Sequence, residues 1–268
     1  MAILDSLLIT LTHRPYIFLF LAGFLVTSGL SRGGRQTFLF LLIGYTVALA
    51  SEASSIRNGF PYGRYFYLYE NMPGETMVFG VPLWDSLSYV FMAYASLAMA
   101  EFLHHFPLPL RWGRVRERVA LGSPSPSSPP IKGGEIIFSA SLLMVVLDLL
   151  ADPLAYRGDR WFLGKIYDYA SPGLYFGIPL SNFAGWFLVA LVIFSVFSWV
   201  SKKIPLSPPL TKGETGGFTG PLLYGAIVLF NLTLTLWIGE FFLALCGVFW
   251  LAIGFSLIFF LSRRRRHG

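Results

Sequence analysis

The 268-residue chain is 55% apolar, only 13% charged, and carries a net charge of +6. This is the composition of an integral membrane protein. The basic residues cluster in loops and at the C-terminus, so the charge reads as an orientation signal and not as a nucleic-acid footprint. The single cysteine, Cys246, sits in an apolar run, which leaves neither a disulfide nor a thiolate metal site.

Seven apolar runs are long enough to cross a bilayer, at about twenty residues each. They fall near 13–30, 36–54, 80–103, 135–156, 181–201, 218–237 and 240–262. The first is interrupted by His13-Arg14-Pro15 and followed by no small-residue cleavage site, so no removable signal peptide is expected. A barrel would show short alternating segments, so the fold class is all-α: a single polytopic helix bundle over 1–268. The last two runs, separated near Gly239, should form a tight antiparallel hairpin.

Loop charge orients the bundle. Arg32, Arg35, Arg111, Arg114, Arg116, Arg118, Lys202, Lys203 and the tail Arg263-Arg264-Arg265-Arg266 fall on one side. On the other, Arg57, Arg64, Arg157, Arg160 and Lys165 are diluted by Glu70, Glu75, Asp159 and Asp168. The excess of basic residues places the C-terminus in the cytoplasm and the N-terminus outside. Two stretches, 123–135 (SPSPSSPPIKGGE) and 205–217 (PLSPPLTKGETGG), share a Ser/Pro-Pro…Lys-Gly pattern and read as low-complexity cytoplasmic insertions.

The organising stretch is 147–186. Asp148 and Asp152 lie four apart on one helical face. Pro153 is expected to end the run, and after an aromatic loop the chain re-enters through Gly177-Ile178-Pro179-Leu180-Ser181-Asn182. About a hundred residues earlier Glu52 precedes an aromatic Gly/Pro loop and Gly80-Val81-Pro82-Leu83-Trp84-Asp85. This internal repeat points to a membrane site at the interface of two halves.

Polar side chains are costly within a span, so their depth is informative. Glu52, Asp85, Asp148, Asp152, Asn182 and Glu240 share one level near the outer face. Asp85, Asn182 and Glu240 have a competing reading as helix-start caps, which Glu240 favours. Glu101 with His104 and His105 reads better as a solvated helix end than as a metal cluster. Asn231-Leu232-Thr233 matches a glycosylation pattern but falls mid-membrane and is set aside. Glu52, Asp148 and Asp152 sit towards helix C-termini, where the dipole disfavours anions. Burial there favours the neutral acid, and neighbouring acids oppose each other's ionisation. The candidate catalytic residues are therefore Asp148, Asp152 and Glu52, with Asp85 next. They form an intramembrane acid site that needs no cofactor and no metal and faces an apolar substrate.

The blocks Leu147-Asp148-Leu149-Leu150-Ala151-Asp152-Pro153, Trp161 and 173–186 (GLYFGIPLSNFAGW) resemble the membrane-embedded carotenoid 1,2-hydratases, including the bacterioruberin-pathway enzymes. Glu52, 59–67 (GFPYGRYFY) and Gly80-Val81-Pro82 resemble the first half of the same pattern, and the likeness covers about residues 40–200. It implies cofactor-independent addition of water to the terminal 1,2 double bond of an acyclic end group, as in lycopene. Protonation at C2 would leave a tertiary cation at C1 for water to capture. Asn182, Trp84, Tyr89, Tyr175, Trp186 and Tyr65 are the candidate substrate-binding residues. Tyr62, Tyr67 and Trp161 could also present aromatic faces to the cation. For any one aromatic residue, an interfacial belt is the commoner role. The carotenoid and membrane lipid are the expected partners, with other carotenoid-biosynthesis enzymes as further candidates.

Two other functions use the same residues. An end-group cyclase would capture the C1 cation with a ring carbon, and a proton-coupled transporter would use the acids as a relay. A retinal-type receptor would need a lysine in the last run, and 240–262 has none.

Overall fold

The computed structural model describes residues 3–105, 133–202 and 216–263. In chain order these form helices α1 (Ile3–His13), α2 (Pro15–Arg32) and α3 (Gly34–Asn58), strands β1 (Tyr65–Tyr67), β2 (Met77–Val78) and β3 (Val81–Pro82), then helix α4 (Leu83–His105). Helix α5 (Gly133–Ala155), strand β4 (Tyr167–Tyr169) and helices α6 (Leu180–Ser201), α7 (Gly216–Trp237) and α8 (Phe241–Arg263) follow. Helices α2 to α8 are the seven that are long and apolar enough to span a bilayer, and they coincide with the seven expected runs. Most of both low-complexity stretches lies outside the described residues, as do His105's side chain and the tail beyond Arg263. Their last residues, Gly133 to Glu135 and Gly216-Gly217, already belong to α5 and α7.

Helices α4 and α5 form the centre, with more than half of their residues buried, whereas α2, α7 and α8 bury less than a third of theirs. Helix α4 packs against α2, α3, α5 and α7, and α5 also meets α6 and α8. Small buried residues on α4, among them Ser86, Ala93, Ala95, Ser96 and Ala100, allow this close approach. Peripheral helices turn Leu229, Phe242 and Leu245 outward, as lipid-facing surfaces require.

The N-terminal region holds a helix the hydropathy pattern did not reveal. Ahead of α2, which begins at Pro15 as proline's fixed φ favours, α1 is short and separate. Ser6 and Thr10 on α1 hydrogen-bond the 74–76 loop, while Leu4, Leu7, Leu8 and Leu11 are exposed.

Pro153 does not end α5, which continues to Ala155. Proline cannot donate to the carbonyl of Leu149, four residues back. The hydroxyl of Tyr175 donates to that carbonyl instead, at 3.3 Å. Helix α3 likewise extends beyond the expected boundary to Asn58, closed by Gly59 in the left-handed region. Glu52 is thus one and a half turns inside a helix.

The two connecting loops on one side of the bundle repeat each other. Phe79-Gly80 forms the turn between β2 and β3, with φ of 53° and 86°. Phe176-Gly177 forms the matching turn, with φ of 52° and 94°, bracketed by a bridge from Tyr175 to Ile178. Two successive positive φ values define the tight hairpin turn, and a bulky first residue there is strained. Strands β1 and β4 tie the loops together, antiparallel, with Tyr65 opposite Tyr169 and Tyr67 opposite Tyr167. Gly185 lets α6 lie against the first loop: a Cβ there would fall 2.6 Å from the Tyr62 ring.

Candidate active site

Every fourth residue of α3 from Phe40 through Gly44, Ala48 and Glu52 is buried, so one stripe carries Glu52 into the bundle. Ser86, at the start of α4, donates to Glu52 Oε2 at 2.5 Å. On α5, Asp148 is wholly buried, with Asp152 one turn further along. Asn182, near the start of α6, donates through Nδ2 to Asp148 Oδ2 and to Asp152 Oδ2, both at 2.9 Å. That amide bridges two acids and does not cap its own helix.

Strand alternation supplies the remaining donors. With period two, Tyr65 and Tyr67 of β1 and Tyr167 and Tyr169 of β4 all point inward, while Phe66 and Asp168 point out. Tyr67 donates to Asp85 Oδ2 at 2.6 Å. Tyr167 and Tyr169 donate to the two oxygens of Asp152 at 2.6 and 3.0 Å. Burial first, and the adjacent carboxylates second, push these phenols well above the ordinary tyrosine range. They therefore stay protonated and serve as donors.

Glu52, Asp85, Asp148 and Asp152 converge on one cavity of about 140 Å³. Asn182, Tyr65, Trp84 and Trp186 also line it, as do Tyr62, Trp161, Tyr167 and Tyr169. Away from the acids its wall is apolar, built from Phe20 of α2, Phe91 and Met92 of α4, and Phe230 of α7. Phe20 meets both Phe91 and Phe230, at ring separations of 5.5 and 5.4 Å. Two of the expected substrate-binding residues lie elsewhere. Tyr89 is buried behind the wall, stacked on Trp186 at 4.5 Å and donating to its carbonyl. Tyr175 serves the α5 backbone and packs on Phe183.

Trp84 has a second attachment. Its Nε1 donates to Glu75 Oε2 at 2.6 Å, and the Arg14 guanidinium lies 4.8 Å from its ring centre. Arg14 grips Glu75 with two bonds of 3.1 and 2.8 Å, and both side chains are almost completely buried. This pair fixes the start of α2 beside the site. Glu240, by contrast, starts α8 and pairs with Arg157 and Arg160, away from the cavity. At the opposite end of α4, Glu101 pairs with Arg32, and His104 meets Ser139.

Sequence reasoning missed Tyr167, Tyr169, Ser86, Asn231, the Arg14–Glu75 pair, and Tyr16 of α2, which also lines the cavity. A signal for the tyrosines was present in the paired patterns Tyr65-Phe66-Tyr67 and Tyr167-Asp168-Tyr169. Asn231, buried on α7, lines the cavity and binds the Ile227 carbonyl through its amide.

The cavity thus brings four acids together with an apolar, aromatic wall. A family model described as carotenoid biosynthesis protein matches residues 13–259. The chain belongs to this carotenoid biosynthesis family. The matched range takes in every residue of the site named above. No curated protein and no solved structure matches the chain.

Proposed function

We propose that this member of the carotenoid biosynthesis family adds water across the terminal 1,2 double bond of an acyclic carotenoid end group, giving a 1-hydroxy carotenoid. The observation that carries the reading is the meeting of four acidic side chains on one largely apolar cavity, with Tyr167 and Tyr169 donating to Asp152 and Tyr67 donating to Asp85. At about 140 Å³ the cavity approaches the roughly 150 Å³ that accommodates benzene in a protein core. That is the scale of a branched five-carbon end group and not of a whole polyene. The Phe20, Phe91 and Phe230 wall offers the adjoining carbons of the chain an apolar surface.

The chemistry asks for a proton on C2, a negative environment around the C1 cation, and a water held for attack. An acid cluster supplies all three, and the faces of Tyr65, Trp84 and Trp186 add to the stabilisation of the cation. The basic loops favour a cytoplasmic C-terminus and an external N-terminus, which puts the acids in the outer half of the bilayer.

Expression in a lycopene-accumulating host tests the reading. A pigment heavier by one water, with the new hydroxyl labelled from heavy-oxygen water, is the expected product. An unchanged mass with a new ring would make the protein a cyclase. A hydroxyl labelled from dioxygen would make it an oxygenase, and either result overturns the proposal.

A further inference from the structure

We infer that Asp148 is the proton donor of this reaction and that Asp152 is the base that takes the proton from the attacking water, an assignment that rests on the hydration reading above. Among the described residues, Asp148 Oδ1 is the carboxylate oxygen that is buried without a hydrogen-bond partner. Its other oxygen accepts from Asn182. An ionised Oδ1 would leave charge desolvated and uncompensated, whereas a protonated one only lacks an acceptor. The π face of an alkene in the cavity, which Asp148 lines, supplies that acceptor.

Asp152 has the opposite surroundings. Tyr167, Tyr169 and Asn182 all donate to it. Three donors around one carboxyl stabilise its negative charge and so favour the carboxylate over the acid. Asn182 touches both acids with a single nitrogen and is the positioning residue that keeps them apart in role.

The step balances without an oxidant or reductant. The Asp148 O–H bond breaks as the C1=C2 π pair forms the new C2–H bond, leaving C1 cationic. A water lone pair forms the C1–O bond, and the proton it releases goes to Asp152. One proton passing from Asp152 back to Asp148 resets the pair.

The test is the full-length protein in membranes, supplied with lycopene in deuterated water. Wild type should give the hydroxylated product with one deuterium at C2. Asp148→Asn should lose both hydroxylation and deuterium uptake, with turnover falling at least about a hundredfold. Asp152→Asn should lose hydroxylation yet still take deuterium into the end group, because protonation and its reversal survive. Asp148→Glu, which keeps an acid, should recover deuterium uptake; a purely structural Asp148 would be damaged as much by Glu as by Asn. Deuterium uptake retained in Asp148→Asn but lost in Asp152→Asn would reverse the roles and overturn the assignment. A wild type that hydrates while both Asn variants turn over normally would overturn it and leave the hydration reading standing. A wild type that produces no hydrated pigment would remove the reading itself, and the assignment with it.

Discussion

Ser86 donates to Glu52 across a separation of thirty-four residues, and Asn182 donates to Asp148 across the same separation. The two halves of the chain therefore bring a helix-start donor to an acid in equivalent ways, but the donors differ. A serine serves one acid, whereas the asparagine serves two.

That difference sets an order of effects. A hydrogen bond to a charged partner contributes about 1.5–3 kcal/mol, so Asn182→Ala should lower activity about ten- to a hundredfold. Ser86→Ala should cost less. Product formed per unit of folded protein in membranes measures both, and equal losses would argue against a special status for the Asp148–Asp152 half.

The Arg14–Glu75 pair should dominate the stability of the site end. Removing one partner of a buried pair leaves the other charge uncompensated, at a cost of about 3–5 kcal/mol. Glu75→Ala should therefore lower the thermal midpoint in detergent sharply. Replacing both, as Arg14→Met with Glu75→Leu, should be better tolerated than either single change. A double variant as unstable as the sum of the singles would count against the pair.

Tyr175 separates a structural role from a substrate-binding one. Tyr175→Phe deprives the Leu149 carbonyl of the donor that stands in for the amide missing at Pro153. A loss of about 0.5–1.5 kcal/mol in stability is expected, with activity of the folded protein nearly unchanged. A selective rise in KM would instead return Tyr175 to the substrate.

Acid should loosen the loops through Asp168. Burial raises its pKa, but hydrogen bonds from Lys165 and Tyr156 and the Lys165 charge outweigh it, so the net shift is downward. A carboxyl whose folded value lies below its unfolded value of about 3.9 stabilises the fold above that value. The contribution disappears as pH falls through the lowered folded value. Thermal midpoints recorded from about pH 6 to pH 3 should thus fall less steeply in Asp168→Asn than in wild type. Identical slopes would mean that the loop does not depend on this carboxylate.

The sequence by itself determined the spans, because an apolar run in a bilayer can satisfy its backbone only as a helix. Counting along those runs put Glu52, Asp85, Asp148, Asp152, Asn182 and Glu240 at one level; the first five line one cavity, and Glu240 lies away from it. The repeat of Gly80-Val81-Pro82-Leu83 in Gly177-Ile178-Pro179-Leu180 was legible too, and the structure shows each glycine closing a tight turn with the phenylalanine before it. Only the tertiary structure decided what each acid touches. Tyr167 and Tyr169 reach Asp152 because β4 pairs with β1 from the other half of the chain, a long-range register that no local pattern specifies. Pro153 reads locally as a helix end, and only the distant Tyr175 hydroxyl lets the turn continue. Arg14 and Glu75 each look like surface charge in the chain. They become a buried pair only where α2, the 74–76 loop and Trp84 meet, because burying either charge requires the other within reach.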